Sequence, residues 1–304
     1  MNACIRSASA AFLLLFGPSV ASAEENPSCQ PQPIAQLRLT ADEDGRVNVP
    51  VTLDGHAVNL LVDTGGGISM LSQLAVSTFG LHELTARRLT MELYGGEASH
   101  RYVLVRNVEL GGTNLHATPF FIASGERFRP ETSGALGADL LERYDVELDF
   151  ANGRLNLFAK DSCPGNGAYW TKGAFARIPF LFDRDRHIRI PVRLDGTQML
   201  AQLDTGAERT IGSLEDITKD FGVDDIENAL GADGRARIYH YPFKLLTFEG
   251  VDVYNPAILL LPNNVSHMPP GERELIIGMN ILHRLHLYIA YGEGALYVTS
   301  AEAR

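Results

Sequence analysis

Positive charge, cysteine and long apolar runs are scarce in this chain. Of 304 residues, 26 are Lys or Arg against 37 Asp or Glu, a formal net charge of −11. Nucleic acid and anionic membrane surfaces recruit basic faces, so this balance argues against both as partners. There are 3 cysteines. Beyond the first residues no apolar stretch approaches the roughly 20 residues that span a bilayer as a helix, so no membrane anchor is expected. The run Gly65-Gly66-Gly67 lacks the Lys-Ser/Thr that would make it a phosphate-binding loop. Ser-His-Asp and Cys-His hydrolase schemes lack a recognisable nucleophile motif. No cofactor is implied. His283 and His286 are read, with Arg284, as a solvated helix face, so no metal is expected.

The longest apolar run is at the N-terminus. Ala10–Phe16 follows Arg6 and precedes the small-residue box Ala21-Ser22-Ala23. That order of charge, apolar core and cleavage box reads as a signal peptide over residues 1–23, cut near Ala23, and predicts a periplasmic or secreted protein. Its removal takes away Arg6 and Cys4 and leaves Cys29 and Cys163. In an oxidising compartment an even pair reads as a disulfide.

What the chain does have is a repeat. Asp63-Thr64-Gly65 recurs as Asp204-Thr205-Gly206, 141 residues later. The same offset lays Val47–Gly55 on Ile188–Gly196 without a gap, with Pro, Val, Leu, Asp and Gly recurring in place. Ala135-Leu136-Gly137 falls on Ile276-Ile277-Gly278, and Asn152-Gly153 on Glu293-Gly294. Two copies are too few for a solenoid, so one β-rich lobe has been duplicated and fused. In each copy, an alternating strand (Val47–Leu53 or Ile188–Leu194) turns at Asp-Gly into the strand that leads to the aspartate. A short helix follows (Ser72–Phe79 or Leu214–Phe221), then short strands, a second short helix and a closing hairpin. The reading is mainly β, in two lobes: residues 24–160 and 177–304, joined by a Pro- and Gly-containing linker at 161–176. Arg184 and Arg186, alternating with Asp183 and Asp185, read as a neutralised surface strand.

One Asp-Thr-Gly is an ordinary turn at a strand end. Two at equivalent points of a repeat can bring Asp63 and Asp204 into one site. Neighbouring carboxylates cannot both ionise cheaply, so the pair shares one proton. The charged member can take a proton from water while the protonated member hydrogen-bonds a peptide carbonyl, a pattern for which aspartic proteases are the standing example. Gly65 and Gly206 permit close backbone approach. Thr64 and Thr205 are placed to bond the opposite loop, and Gly137 and Gly278 to let a strand pass closely behind.

These motifs resemble the retropepsin and pepsin superfamily of aspartic proteases. Leu203–Ala207 and Ile276–Leu282 are especially similar to retropepsins, while the fused arrangement is pepsin-like. The resemblance covers the chain from about Gln36 and implies two β-barrel lobes of the acid-protease fold around an interlobe cleft. It implies that Asp63 and Asp204 are the catalytic pair, supported by Thr64, Gly65, Thr205, Gly206, Gly137 and Gly278. It also implies a substrate-covering flap: Tyr94-Gly95-Gly96 is similar to the flap tip of pepsins, and Ala232-Asp233-Gly234 is its loose counterpart. The expected activity is that of an aspartic endopeptidase, monomeric because both half-sites lie on one chain. The substrate is an extended peptide or protein, with apolar residues near the scissile bond. The alternative is a non-catalytic peptide-binding module on the same fold.

The chain departs from the family just after each tripeptide. Gly66-Gly67 and Ala207-Glu208 supply no hydroxyl where the family often has one. Losing a hydrogen bond to the charged form leaves carboxylate pKa values less depressed, which predicts activity at mildly rather than strongly acidic pH. The triple glycine also makes the first loop permissive.

Overall fold

The computed structural model describes residues 29–86, 91–93, 97–123, 128–222, 227–230, 237–263 and 274–302. Residues 1–23, read as a signal peptide, lie outside this set, as do Tyr94, Gly95, Gly96 and Gly234 of the expected flap.

Each repeat opens on the expected hairpin. Val47–Leu53 pairs antiparallel with His56–Val62, and Ile188–Leu194 with Thr197–Leu203. Both turns carry two successive positive φ angles, 47° and 89° at Asp54-Gly55, 45° and 86° at Asp195-Gly196. Such turns match the twist of the flanking strands, and Asp-Gly tolerates their backbone. Each aspartate also ties its turn to a neighbouring segment. Asp54 accepts the Asn107 N–H at 2.8 Å, and Asp195 the Leu245 N–H at 2.8 Å. The inward residues Val49, Val51 and Leu53, and Ile188, Ile190, Val192 and Leu194, are buried, as the alternation requires.

The first repeat forms an eight-stranded sheet in which Val47–Leu53 pairs a second time, with Arg101–Leu110, so that the sheet curls on itself. The second repeat forms a ten-stranded counterpart. These are the two β lobes. In each, the strand ending at the aspartate lies parallel to a short strand: His56–Val62 to Gly134–Leu136, and Thr197–Leu203 to Glu274–Ile277. The short helices are capped as expected. Ser72 accepts the Ala75 N–H before Gln73–Thr78, and Ser213 accepts the Asp216 N–H before Leu214–Phe221.

A third, six-stranded sheet belongs to both repeats. Its order is Pro33–Arg38, Arg154–Phe158, Asp145–Asp149, Leu285–Ala290, Ala295–Ser300, Ala176–Pro179. At its centre Glu147 lies opposite Tyr288, its own counterpart at the 141-residue offset. The pseudo-twofold axis relating the repeats therefore passes through this pair.

The segment from Asp161 to Phe175 packs over this sheet. Cys163 forms a disulfide with Cys29, Cα atoms 5.6 Å apart, closing a separation of 134 residues. In the chain-entropy model such a loop is worth about 5 kcal/mol. Tyr169 donates its hydroxyl to Glu147 at 2.8 Å, and Trp170 stacks on the His286 ring at 4.1 Å between centroids. His286 Nε2 lies 2.8 Å from Glu147 Oε1.

This corrects two expectations. His286 is buried, 5% exposed, on the strand Leu285–Ala290; the helix ends at Leu282, so the two histidines do not share a solvated face. Asp183–His187 is a turn between strands, with Arg186 at φ 67°, not a surface strand. The Asp183 carboxylate folds it by accepting the Asp185 and His187 N–H groups, each at 2.9 Å.

Candidate functional site

The two Asp-Thr-Gly loops meet between the lobes and interlock through their threonines. The Thr64 N–H donates to Thr205 Oγ1 at 3.1 Å, and the Thr205 N–H to Thr64 Oγ1 at 3.1 Å. The hydroxyls donate onward across the seam, Thr64 to the Leu203 carbonyl at 2.9 Å and Thr205 to the Val62 carbonyl at 2.6 Å. Both threonines are 1% exposed. Each hydroxyl is thus both donor and acceptor, so neither is left unsatisfied in a place water cannot reach.

The interlock brings Asp63 and Asp204 together, their carboxyls sharing a hydrogen bond. Each backbone is anchored from behind, the Asp63 N–H on the Leu136 carbonyl and the Asp204 N–H on the Ile277 carbonyl, both at 3.0 Å. Each carboxyl receives two backbone donors. Gly65 and Gly66 reach Asp63 Oδ1 at 3.1 and 2.7 Å; Gly206 and Ala207 reach Asp204 Oδ1 at 2.8 and 3.0 Å. Glycine is required here by space: a Cβ on Gly65 would fall 2.2 Å from Asp204 Cγ, and one on Gly206 2.6 Å from Asp63 Oδ1.

The carboxyls are half-buried, walled by protein on most sides, and that burial dominates their titration. It raises the Asp63 pKa against the Gly66 and Gly65 N–H groups, the Asp204 hydrogen bond and the field of His187. For Asp204, burial and then the charge of Asp63 push the pKa up to about 8, with Gly206 and Ala207 opposing. The pair therefore holds one proton over a wide pH range.

Behind each loop lies a second repeated contact that the sequence reading did not single out. Asp139 Oδ1 accepts the Ser69 N–H and hydroxyl at 2.8 and 2.7 Å; Asn280 Oδ1 accepts those of Thr210 at 2.7 and 2.8 Å. Ser69 Oγ in turn accepts the Gly137 N–H at 2.9 Å, and Thr210 Oγ1 the Gly278 N–H at 3.2 Å. The backbone passes closely there: a Cβ on Gly137 would lie 2.6 Å from the Ile68 carbonyl carbon, and one on Gly278 2.4 Å from the Arg209 oxygen. Burial raises the Asp139 pKa against the Ser69 bonds. The signal was available, since Ser69 and Thr210, and Asp139 and Asn280, also stand 141 residues apart.

A family model described as aspartyl protease matches the chain twice, over residues 49–140 and 190–281. The chain belongs to the aspartyl protease family. Each match contains one Asp-Thr-Gly loop and runs into the short helix packed behind it, so the two lobes are two family units on one chain. No curated protein matches the sequence.

Within this aspartyl protease framework, the apolar residues near the motifs divide. Leu71, Phe120, Phe121, Ile122, Leu260 and Leu261 are core, whereas Ile68, Met70, Ile211 and Leu259 are half-buried. Asp183, Asp185 and His187 place ligand atoms within 4.8 Å of one another, the one such group among the described residues. Asp183 is already engaged there, by two N–H groups and by Arg189 Nε at 3.1 Å. A cavity of about 640 Å³ lies beside the second loop, lined by Glu208, Arg209 and Asn280, and neither Asp63 nor Asp204 lines it.

Proposed function

We propose that the protein is an aspartic endopeptidase that hydrolyses peptide bonds with a water activated by Asp63 and Asp204. The observation that carries this reading is the shared hydrogen bond between two carboxyls, each held by two backbone N–H groups at the centre of interlocked loops. In the singly protonated pair, the ionised carboxyl takes a proton from water as that water attacks the scissile carbonyl. The protonated carboxyl donates to the carbonyl oxygen, where negative charge develops. Burial raises both carboxyls, so the pair as a unit keeps one proton, its protonated member the donor and its ionised member the base. Collapse of the tetrahedral intermediate returns a proton to the leaving amine.

An extended peptide lying across the seam would have its backbone between the lobes, with Ile68, Met70, Ile211 and Leu259 near enough to favour apolar side chains. Residues 24–160 and 177–304 act as the two half-sites of a monomer. The disulfide suits an oxidising compartment, which fits export through the N-terminal segment. No helix among the described residues is long and apolar enough to cross a membrane.

The test is cleavage of an unstructured peptide library between about pH 3 and about pH 9, which brackets the reference carboxylates and the raised pair. Asp63→Asn and Asp204→Asn should each abolish cleavage, a loss of at least about a thousandfold. A folded wild type that cleaves nothing, yet binds a statine peptide, would replace the hydrolytic reading with a peptide-binding one.

A further inference from the structure

The repeat provides an internal control for every contact between the lobes. The turn Asp183-Arg184-Asp185-Arg186-His187 of the second lobe corresponds to Asp42-Glu43-Asp44-Gly45-Arg46 of the first. Both turns are built alike: Asp42 Oδ1 accepts the Asp44 and Arg46 N–H groups at 3.0 and 2.9 Å, as Asp183 does for Asp185 and His187. They differ in what they reach. The second-lobe turn crosses to the first lobe. Its Asp185 carbonyl oxygen stands 2.4 Å from where a Cβ on Gly67 would be, and Arg186 Nε lies 3.0 Å from Glu142 Oε1. Around Gly45, which occupies the place of Arg186, a Cβ would meet nothing within 4 Å. His283 stands where Glu142 does, and the cavity of about 640 Å³ separates Glu43, Asp44 and Gly45 from Glu208 and Arg209.

The dyad loops differ in a complementary way. After Gly206 the second loop has the side chains of Ala207 and Glu208; after Gly65 the first has Gly66 and Gly67. Three successive glycines have the most backbone freedom to lose, yet two of their N–H groups must stay on Asp63.

We propose that Arg186 is a positioning residue for the first dyad loop: anchored on Glu142, it holds the Asp183–His187 turn against Gly67 and thereby keeps the Gly65 and Gly66 N–H groups on Asp63. This rests on the dyad reading above. The brace is one-sided because the loop it supports is the one without side chains. Arg186 also adopts a left-handed backbone that non-glycine residues seldom take, which the ion pair helps to hold. The charged groups around it are Glu142, Asp139 and Arg143 on the first lobe and Asp183, Asp185 and His187 on the turn. Arg186 acts on Asp139 through its field, as His187 does on Asp63.

The experiment compares Arg186→Ala, Glu142→Ala, their combination and Arg186→Lys. Arg129→Ala, which breaks the Asp44 ion pair of the first-lobe turn, is the control. Arg186 and Glu142 are 38% and 27% exposed, so their replacement leaves the core intact. Each single alanine should lower kcat roughly tenfold with KM held within about twofold, because misplacement affects attack more than binding. The double variant should lose no more than either single one, and Lys should restore part of the rate. The acid limb of the pH profile should move upward, since Asp63 loses donors that favour its charged form. Arg129→Ala should change none of these. Amide hydrogen exchange at Gly65–Gly67 reads the brace without turnover and should accelerate in Arg186→Ala. Faster exchange in a protein whose wild type cleaves nothing would uphold the brace while discarding the hydrolytic reading. Unchanged exchange with unchanged kcat and acid limb overturns the proposal, as do additive losses or a loss confined to KM.

Discussion

Asp204 shows how a buried carboxyl makes stability depend on pH. Its pKa in the fold, about 8, stands far above the ordinary 3.8. Between those values the folded chain keeps a proton that the unfolded chain has released, so this residue's contribution to stability is present below about pH 4 and is lost as pH rises through about 8. Asp204→Asn mimics the protonated form at every pH. It should match the wild type in Tm near pH 4 and exceed it by several degrees at pH 9, while abolishing cleavage; a difference independent of pH would refute the raised pKa. The same proton sets the basic limb of the wild-type rate profile, which should fall near pH 8. With Asp63 also raised, the optimum should lie above the strongly acidic range. That the Asp63 and Asp204 loops meet, with their threonines and glycines at the contact, was legible in the sequence because the repeat names them in pairs. Ser69 and Asp139 were not, although the same offset marks them: a bond spanning 70 residues becomes visible only when the strands are in place. Arg186 was unreadable for another reason, since its partner Glu142 belongs to the other lobe.

At the scale of elements, strand pattern translated into structure more faithfully than loop composition did. The strands Val47–Leu53 and Ile188–Leu194 have the expected bounds, because alternation, Asp-Gly turns and burial all agree there. The segment 161–176 reads as a linker from its Pro and Gly, yet it packs through two aromatic side chains. Trp170 covers His286 and donates its indole N–H to Thr299 at 3.1 Å; Tyr169 ends on Glu147. Trp170→Ala should destabilise by about 2 kcal/mol, below the range for a fully buried aromatic because Trp170 is half-buried. Thermal unfolding at neutral pH measures it, and an unchanged Tm would make the segment a linker after all. His286 was misread for the same local reason: its spacing from His283 suits a helix, but the chain leaves the helix at Leu282 and enters a strand at Leu285.

At the scale of the molecule, duplication explains the shared sheet, the paired loops and the matching turns, while divergence between copies explains the open flank near Gly45 and the closed one near Arg186. The pair on the pseudo-twofold axis extends this to assembly. Glu147 faces Tyr288, and its carboxylate, 3% exposed, is satisfied by Asn156, Tyr169 and His286. A dimer of first lobes alone would instead set Glu147 against Glu147, two buried like charges with the second-lobe histidine gone. The fused chain has thus lost the option its symmetry suggests, of each half recognising itself. Expressed as two separate polypeptides, the halves should form a one-to-one heterodimer on mixing, whereas the first half alone should form no twofold dimer at neutral pH, as native mass spectrometry would show. Divergence at a single position on the axis makes the gene fusion irreversible in the direction of a homodimer, and offers a split protein whose pieces find only each other.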